Sequence, residues 1–379
     1  MPVGPPSPAG NRSDAARLDA VSTPALVIDR ERLGRNVSEM AQRVRDAEVA
    51  LWPHAKTHKC AEIAALQFQH GADGLTVATV PEAEYFVAAG VTDILFAYPP
   101  VGATRLQRLA ALANTARIRV VLDDVSVLEG LIAASRAASV MIPYLWEVEC
   151  GAGRLGTAPG EPTAHAVAAA PQAEECPFDG LMTFGGHAYG ARDDDELEMI
   201  AREEGAALAA SATALVGVGI PCATRSAGTT PTAHHLRPGS GLTEFRPGNY
   251  VFYDATQVAL GLVGPERCAL SVLATVVGRP APDRVILDAG SKALAAERLT
   301  PRTDGFGFVA DHPELSVVRL YEQHAIVHSD RPCRLTVGER VRVVPNHACT
   351  AANLHREAVI VEQDEIVATW SIGAAGPGA

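Results

Sequence analysis

The chain has 379 residues, 47% of them hydrophobic and 20% charged, with a formal net charge of −12. That much apolar content builds a sizeable core and excludes a disordered chain, while the length suits one large and one smaller domain. The acidic balance excludes nucleic acid and an anionic membrane as partners, since both need a basic face.

Residues 1–21 are rich in Pro, Gly and Ser and lack the apolar stretch of a secretory signal, so a disordered lead-in is expected there. No apolar run approaches the roughly 18 residues of a membrane span. From residue 24 nine short apolar runs follow: ALVID, VALWP, LTVAT, DILFAY, IRVVLDD, YLWEVE, GLMTFGG, CATRSAG and TEFRPG. Helical stretches separate most of them. In the first, RERLGRNVSEMAQRVRDAE, Leu33, Val37, Met40 and Val44 share one face. The runs barely alternate, as in strands covered on both faces. Such β–α alternation over about 230 residues fits a (β/α)8 barrel or a doubly wound sheet. Nine runs for eight barrel places leave one, the first, to pair elsewhere. After residue 256 the pattern turns β-rich, through CALSVLATVVGR to EAVIVEQDEIVATWSI. The expected division is a barrel over 22–256 and a mainly antiparallel β-domain over 257–379. Seven cysteines, odd in number and scattered, do not make a disulfide scaffold and fit a reducing cytoplasm.

Only three lysines occur among 32 basic residues: Lys56, Lys59 and Lys292. Arginine does not give up its proton in a protein, so chemistry that needs a neutral amine must keep lysine. In ALWPHAK, extended geometry puts Trp52, His54 and Lys56 on one face. In a barrel that face points inward, and barrel enzymes do their chemistry at the C-terminal strand ends. Lys59 is expected to begin the next helix, facing elsewhere.

Three further stretches carry candidate ligands. EVECGAGRLGT ends a strand in a Gly-rich turn with Arg154, which alone is equally a surface arginine. SAGTTPTAHH and RPGNYVFYD combine Gly228, Thr229, Gly248 and Tyr250 where barrels bind phosphate. In PNHAC, His347 and Cys349 stand two apart on a segment read as extended, so both point one way and suit a zinc-like ion. An isolated HxC pair also arises by chance.

In order, PHxK, GxGRxG, GTTPT, Gly-x-Tyr before an aromatic and Asp, LDAGxK and a late PNHxC resemble the fold-type III pyridoxal-phosphate enzymes. Within them the match is to the D-serine dehydratase/D-threonine aldolase group, over about residues 22–372. The resemblance implies a TIM-type (β/α)8 barrel followed by the β-domain. Lys56 would form the Schiff base to pyridoxal 5'-phosphate, with His54 and Arg154 beside the cofactor and Gly228, Thr229, Gly248 and Tyr250 on its phosphate. His347 and Cys349 would bind a divalent metal, zinc favoured and manganese, magnesium or cobalt alternatives, and His187 and Tyr189 of GHAYG would lie near the substrate. Trp52 departs from an arginine frequent in the family, and Gln323 and Ala325 depart from an EHG-like stretch, so His324 receives no role. The expected activity is a lyase on D-β-hydroxy amino acids (D-serine, D-threonine or D-3-hydroxyaspartate), favouring the dehydratase, with D-threonine aldolase as alternative. An amino-acid racemase and a non-enzymatic cofactor carrier are the remaining rivals. The resemblance also implies a homodimer, and the cysteine usage a cytoplasmic one.

Overall fold

In the first βα unit, Asp29 closes the strand and opens the helix: its Oδ1 accepts the Arg32 N–H at 2.9 Å, capping Arg30–Asp46. That helix buries Leu33, Val37, Met40 and Val44, the face its periodicity marks. The computed structural model describes residues 18–376.

Strand β1 (Ala25–Asp29) precedes eight strands: β2 (Ala50–Leu51), β3 (Leu75–Val77), β4 (Asp93–Phe96), β5 (Arg117–Leu122), β6 (Tyr144–Glu147), β7 (Phe178–Met182), β8 (Thr224–Ala227) and β9 (Glu244–Phe245). β3 to β9 pair in sequence order, all parallel, and β9 returns to β2. A bridge between His54 and Thr76 closes the ring from β2 to β3. Trp52, Leu95, Val121, Leu145 and Met182 pack together as the barrel interior. The barrel expectation therefore holds.

β1 does not enter that ring. It pairs antiparallel with β10 (Leu270–Ala281) and parallel with β16 (Glu357–Glu362). They belong to a nine-stranded sheet that also holds β11 (Arg284–Leu287), β12 (Gly307–Val309), β13 (His312–Leu320), β14 (Ala325–Ser329), β15 (Arg340–Pro345) and β17 (Glu365–Ser371). β11 pairs with both β14 and β10, so this sheet closes on itself in part. One apolar cluster runs from the first helix (Leu33, Val37) to the second sheet (Val272, Val343), so the two parts share a core. His324 is exposed in the turn between β13 and β14.

Of the expected lead-in, residues 1–17 lie outside the described residues. Leu18 and Val21 are anchored, each carbonyl accepting from Arg340 Nη1 at 2.6 Å. No helix among the described residues is long and apolar enough to cross a membrane.

Candidate active site

β2 is only two residues long, so Lys56 does not sit on an extended strand as its spacing suggested. Pro53 has no N–H for the ladder, and its carbonyl accepts from Thr76 N at 2.9 Å. The chain then turns through Ala55–Thr57, capped by His54, whose Nδ1 receives the Lys56 backbone N–H at 3.4 Å. Trp52 stays in the barrel interior, while His54 and Lys56 line a cavity of about 580 Å³ at the C-terminal strand ends. Lys59 lies before helix Ala61–Gln69 with φ +48°, so it does not open the helix.

The Lys56 Nζ lies 5.4 Å from the centre of the Phe184 ring, and the Arg154 guanidinium 4.7 Å from the same centre. Burial lowers the Lys56 pKa; the Cys349 charge opposes this and Arg154 adds to it. Burial, and next the Lys56 charge, hold His54 well below the ordinary imidazole value, so its ring is neutral at pH 7. A further cation, Arg246, is 3% exposed and donates from Nε to Ser226 Oγ at 2.9 Å and from Nη2 to the Thr183 carbonyl. Sequence reasoning missed it. The available signal was parity, since Arg246 and Gly248 stand two apart on the segment leaving β9.

Two glycines open the far wall. At Gly228, φ is +103° and a Cβ would lie 2.2 Å from the Phe245 ring; at Gly248 a Cβ would lie 2.8 Å from Thr57 Oγ1. Glu204, also missed, reaches up from helix Asp194–Gly217. Its Oε1 accepts Gly185 N–H at 2.9 Å and Gly228 N–H at 3.2 Å, joining the turns after β7 and β8. Thr229 and Gly248 line the cavity, and Gly228, expected beside them, is not among its lining residues. Tyr250 requires a correction. Its side chain is fully buried in the core, and its hydroxyl accepts from Gln67 Nε2 at 2.9 Å. A bulky ring on the chain side away from the cavity gains more from burial, so only the Tyr250 backbone faces the Thr230 hydroxyl.

In the same cavity, His347 Nδ1 is 2.6 Å from Glu297 Oε2, and Cys349 Sγ is 3.2 Å from Thr57 Oγ1. The pair is not on an extended segment. His347 is the N-cap of helix Ala348–Ala352, and Asp254 Oδ2 receives the Ala348 N–H at 2.9 Å. Satisfying that helix-terminal donor inside the core fixes the turn. Burial opposes charge on both groups, yet each outweighs it for the other: Cys349 raises the His347 pKa and His347 lowers that of Cys349. Among the described residues no third His, Cys, Asp or Glu completes a metal-ligating cluster. A thiolate and an imidazole whose other nitrogen is tethered to a carboxylate are the donor set of a soft divalent cation, with positions left for water or substrate.

His187 and Tyr189 form the side wall. His187 Nε2 is 3.8 Å from Glu203 Oε2, and its buried Nδ1 has no hydrogen-bond partner among the described residues. The Tyr189 ring centre lies 6.4 Å from that of His347. Burial, and next the Cys349 and Asp254 charges, push its pKa well up and keep the hydroxyl protonated. The cavity thus gathers Lys56, His54, Arg154, Thr229, Gly248, His187, Tyr189, His347 and Cys349. The partly buried amine, the Arg154 and Arg246 guanidiniums, the Thr229 hydroxyl and the glycines suit an anionic cofactor with an aldehyde.

Residues 28–256 match the model of the alanine racemase N-terminal domain, and 269–361 that of a putative serine dehydratase domain. The chain is 33% identical over 370 residues to the D-threo-3-hydroxyaspartate dehydratase of Delftia sp. (strain HT23), covering 93% of this chain and 97% of that one. It is 35% identical over 377 residues to a D-threonine aldolase of Arthrobacter sp, covering 98% and 96%. The crystal structure of D-threonine aldolase from Filomicrobium marinum superposes with a TM-score of 0.87 at 32% identity, over 97% of this chain and 99% of that one.

Proposed function

Because the chain belongs to the D-serine dehydratase/D-threonine aldolase family of fold-type III pyridoxal-phosphate enzymes, we propose that it dehydrates and deaminates a D-β-hydroxy amino acid to a keto acid and ammonia. D-Serine, D-threonine and D-3-hydroxyaspartate are the candidate substrates. The observation that carries this reading is the placement of a partly buried amine, Lys56, and the Cys349–His347 pair in one cavity.

Pyridoxal phosphate, when bound, supplies a sink for the electrons of the broken Cα bond. Lys56 would attach it, Arg154 and neutral His54 would lie beside it, and Thr229 and Gly248, with Gly228 and the Tyr250 backbone, would hold its phosphate. A divalent cation, when bound, supplies a Lewis acid for the β-hydroxyl. His347 and Cys349 would hold it, and a thiolate ligand would favour zinc over manganese, magnesium or cobalt. Glu297 fixes the His347 tautomer by occupying Nδ1. Lys56 Nζ takes the proton from Cα, a role that its lowered pKa supports. Tyr189, held protonated, donates towards the substrate, and His187 borders the same side.

The Arthrobacter relative supports a second reading, in which Cα–Cβ breaks instead. There His187, which lines the same cavity, takes the hydroxyl proton. Product analysis separates the two. With D-threonine, the dehydratase reading expects 2-oxobutanoate and ammonia; glycine and acetaldehyde with little keto acid would establish the aldolase. A cytoplasmic homodimer completes the proposal, supported by seven free cysteines and by the family's pattern of sites completed across subunits. Sedimentation of the holoenzyme tests the assembly.

A further inference from the structure

We propose that Lys59 is a positioning residue: it fixes the helix that carries Cys349 against the turn that carries Lys56, and so sets the metal site. The inference rests on the reading of His347 and Cys349 as metal ligands. Lys59 is 8% exposed, so its charge is almost wholly removed from water. Its Nζ donates to Asn353 Oδ1 and lies 3.4 Å from Glu82 Oε1. Asn353 is the C-cap of helix Ala348–Ala352, and its N–H returns to the Cys349 carbonyl at 3.2 Å. Glu82 is 1% exposed and belongs to the barrel; its Oε2 accepts the Ala78 N–H, just past β3, at 2.8 Å. The same two residues also gather the end of the described chain: Lys59 O accepts Gly373 N–H at 2.9 Å, and Asn353 Oδ1 accepts Gly376 N–H at 3.2 Å.

One side chain thus ties three pieces that are distant in sequence. Three residues upstream of it is Lys56, and four residues upstream of its acceptor is Cys349. The helix between is only five residues long and cannot hold its own orientation. Asp254 grips its N-terminal end through Ala348 N–H. Lys59 grips the other end, and Thr57 Oγ1 against Cys349 Sγ spans the gap. A lysine suits the position because Nζ has three donors on a thin stem, and the acceptors converge from two sides. The closely spaced lysines of HAKTHK therefore divide the work: Lys56 faces the cavity, and Lys59 spaces the cavity walls.

The test compares Lys59→Met, Asn353→Ala and the control Lys292→Met with the unsubstituted holoenzyme. Zinc affinity is read by competition with a chromogenic chelator, cofactor attachment by borohydride reduction and mapping of Lys56, and Tm by calorimetry. Lys59→Met is expected to keep the label on Lys56 while zinc affinity falls by about 10–100-fold, the usual loss on removing an outer support of a metal ligand. Asn353→Ala should reproduce the loss if Lys59→Met fails to fold, and Lys292→Met should leave affinity unchanged. Unchanged zinc affinity with only a lower Tm would overturn the proposal. Should the unsubstituted protein itself hold no zinc, the metal reading fails and takes the proposal with it.

Discussion

Near the N-terminal ends of the barrel strands, Arg119 Nη1 lies 2.8 Å from both Asp179 Oδ2 and Glu244 Oε1. Its guanidinium carbon sits 4.1 Å from the centre of the Trp52 ring, which itself packs on Gly74, where a Cβ would be 2.2 Å away. At the C-terminal ends, Lys56, Arg154 and Arg246 face an open cavity. Among the described residues Lys56 has no carboxylate at ion-pair distance; the nearest ion pair is between Arg154 and Glu147 at 3.6 Å. Arg119 is buried against two carboxylates, whereas at the cavity end Arg246 is buried, Arg154 is half exposed beside Glu147, and Lys56 is only partly buried. A filled plug needs no ligand and contributes rigidity. Three cations lining one cavity with a single carboxylate at ion-pair distance make a place for an anion, which is the signature of a site.

The largest effect should come from the open end. Lys56→Ala is expected to lower turnover by at least about 10²–10⁴-fold and to abolish borohydride labelling of its peptide, with little change in unfolding free energy. Label appearing on Lys59 would reverse the contrast between the two lysines. At the plug, Arg119→Met leaves two carboxylates without their cation and should cost about 3–5 kcal/mol in urea unfolding, while the folded fraction keeps its kcat. Replacing Arg119, Asp179 and Glu244 together by apolar residues should recover much of that loss. If Arg119→Met alone is neutral, the plug is not what stiffens the lower barrel.

The smallest effect sharpens the comparison most. In the apoprotein, burial lowers the Lys56 pKa, so the unfolded chain binds the proton more readily than the folded one. Stability therefore rises with pH from the folded value of Lys56 up to the unfolded value of about 10.4. Lys56→Met should stabilise the apoprotein at neutral pH and flatten this rise. A parallel rise in the variant would assign the slope to other groups.

What could be read from the residues alone follows the same divide. That Lys56, Gly248, His347 and Cys349 stand out by residue type could be read from the sequence, and the fold gathers them in one cavity. Their local geometry was less legible. β2 stops after Leu51 because Pro53 leaves the ladder, and PNHAC bends into a helix because Asp254, 94 residues earlier, accepts the Ala348 N–H. The place of Tyr250 at the end of the last barrel strand suggests a phosphate ligand, but its ring belongs to the core. Arg246, Glu204 and Lys59 act through partners far along the chain: Lys59 meets Asn353 across 294 residues. No local pattern encodes such a contact. The separate pairing of β1 could be inferred because eight barrel places cannot hold nine strands.

Metal removal from the holoenzyme tests the central claim most directly, that a cofactor lysine and a separate metal pair serve one lyase cavity. After treatment with a strong chelator, D-serine should no longer give pyruvate and ammonia, the absorbance of the lysine-bound cofactor should stay nearly unchanged, and zinc should restore turnover. His347→Ala should behave as the stripped enzyme does. Full turnover by the metal-free protein would contradict the account and favour racemase chemistry on the same barrel.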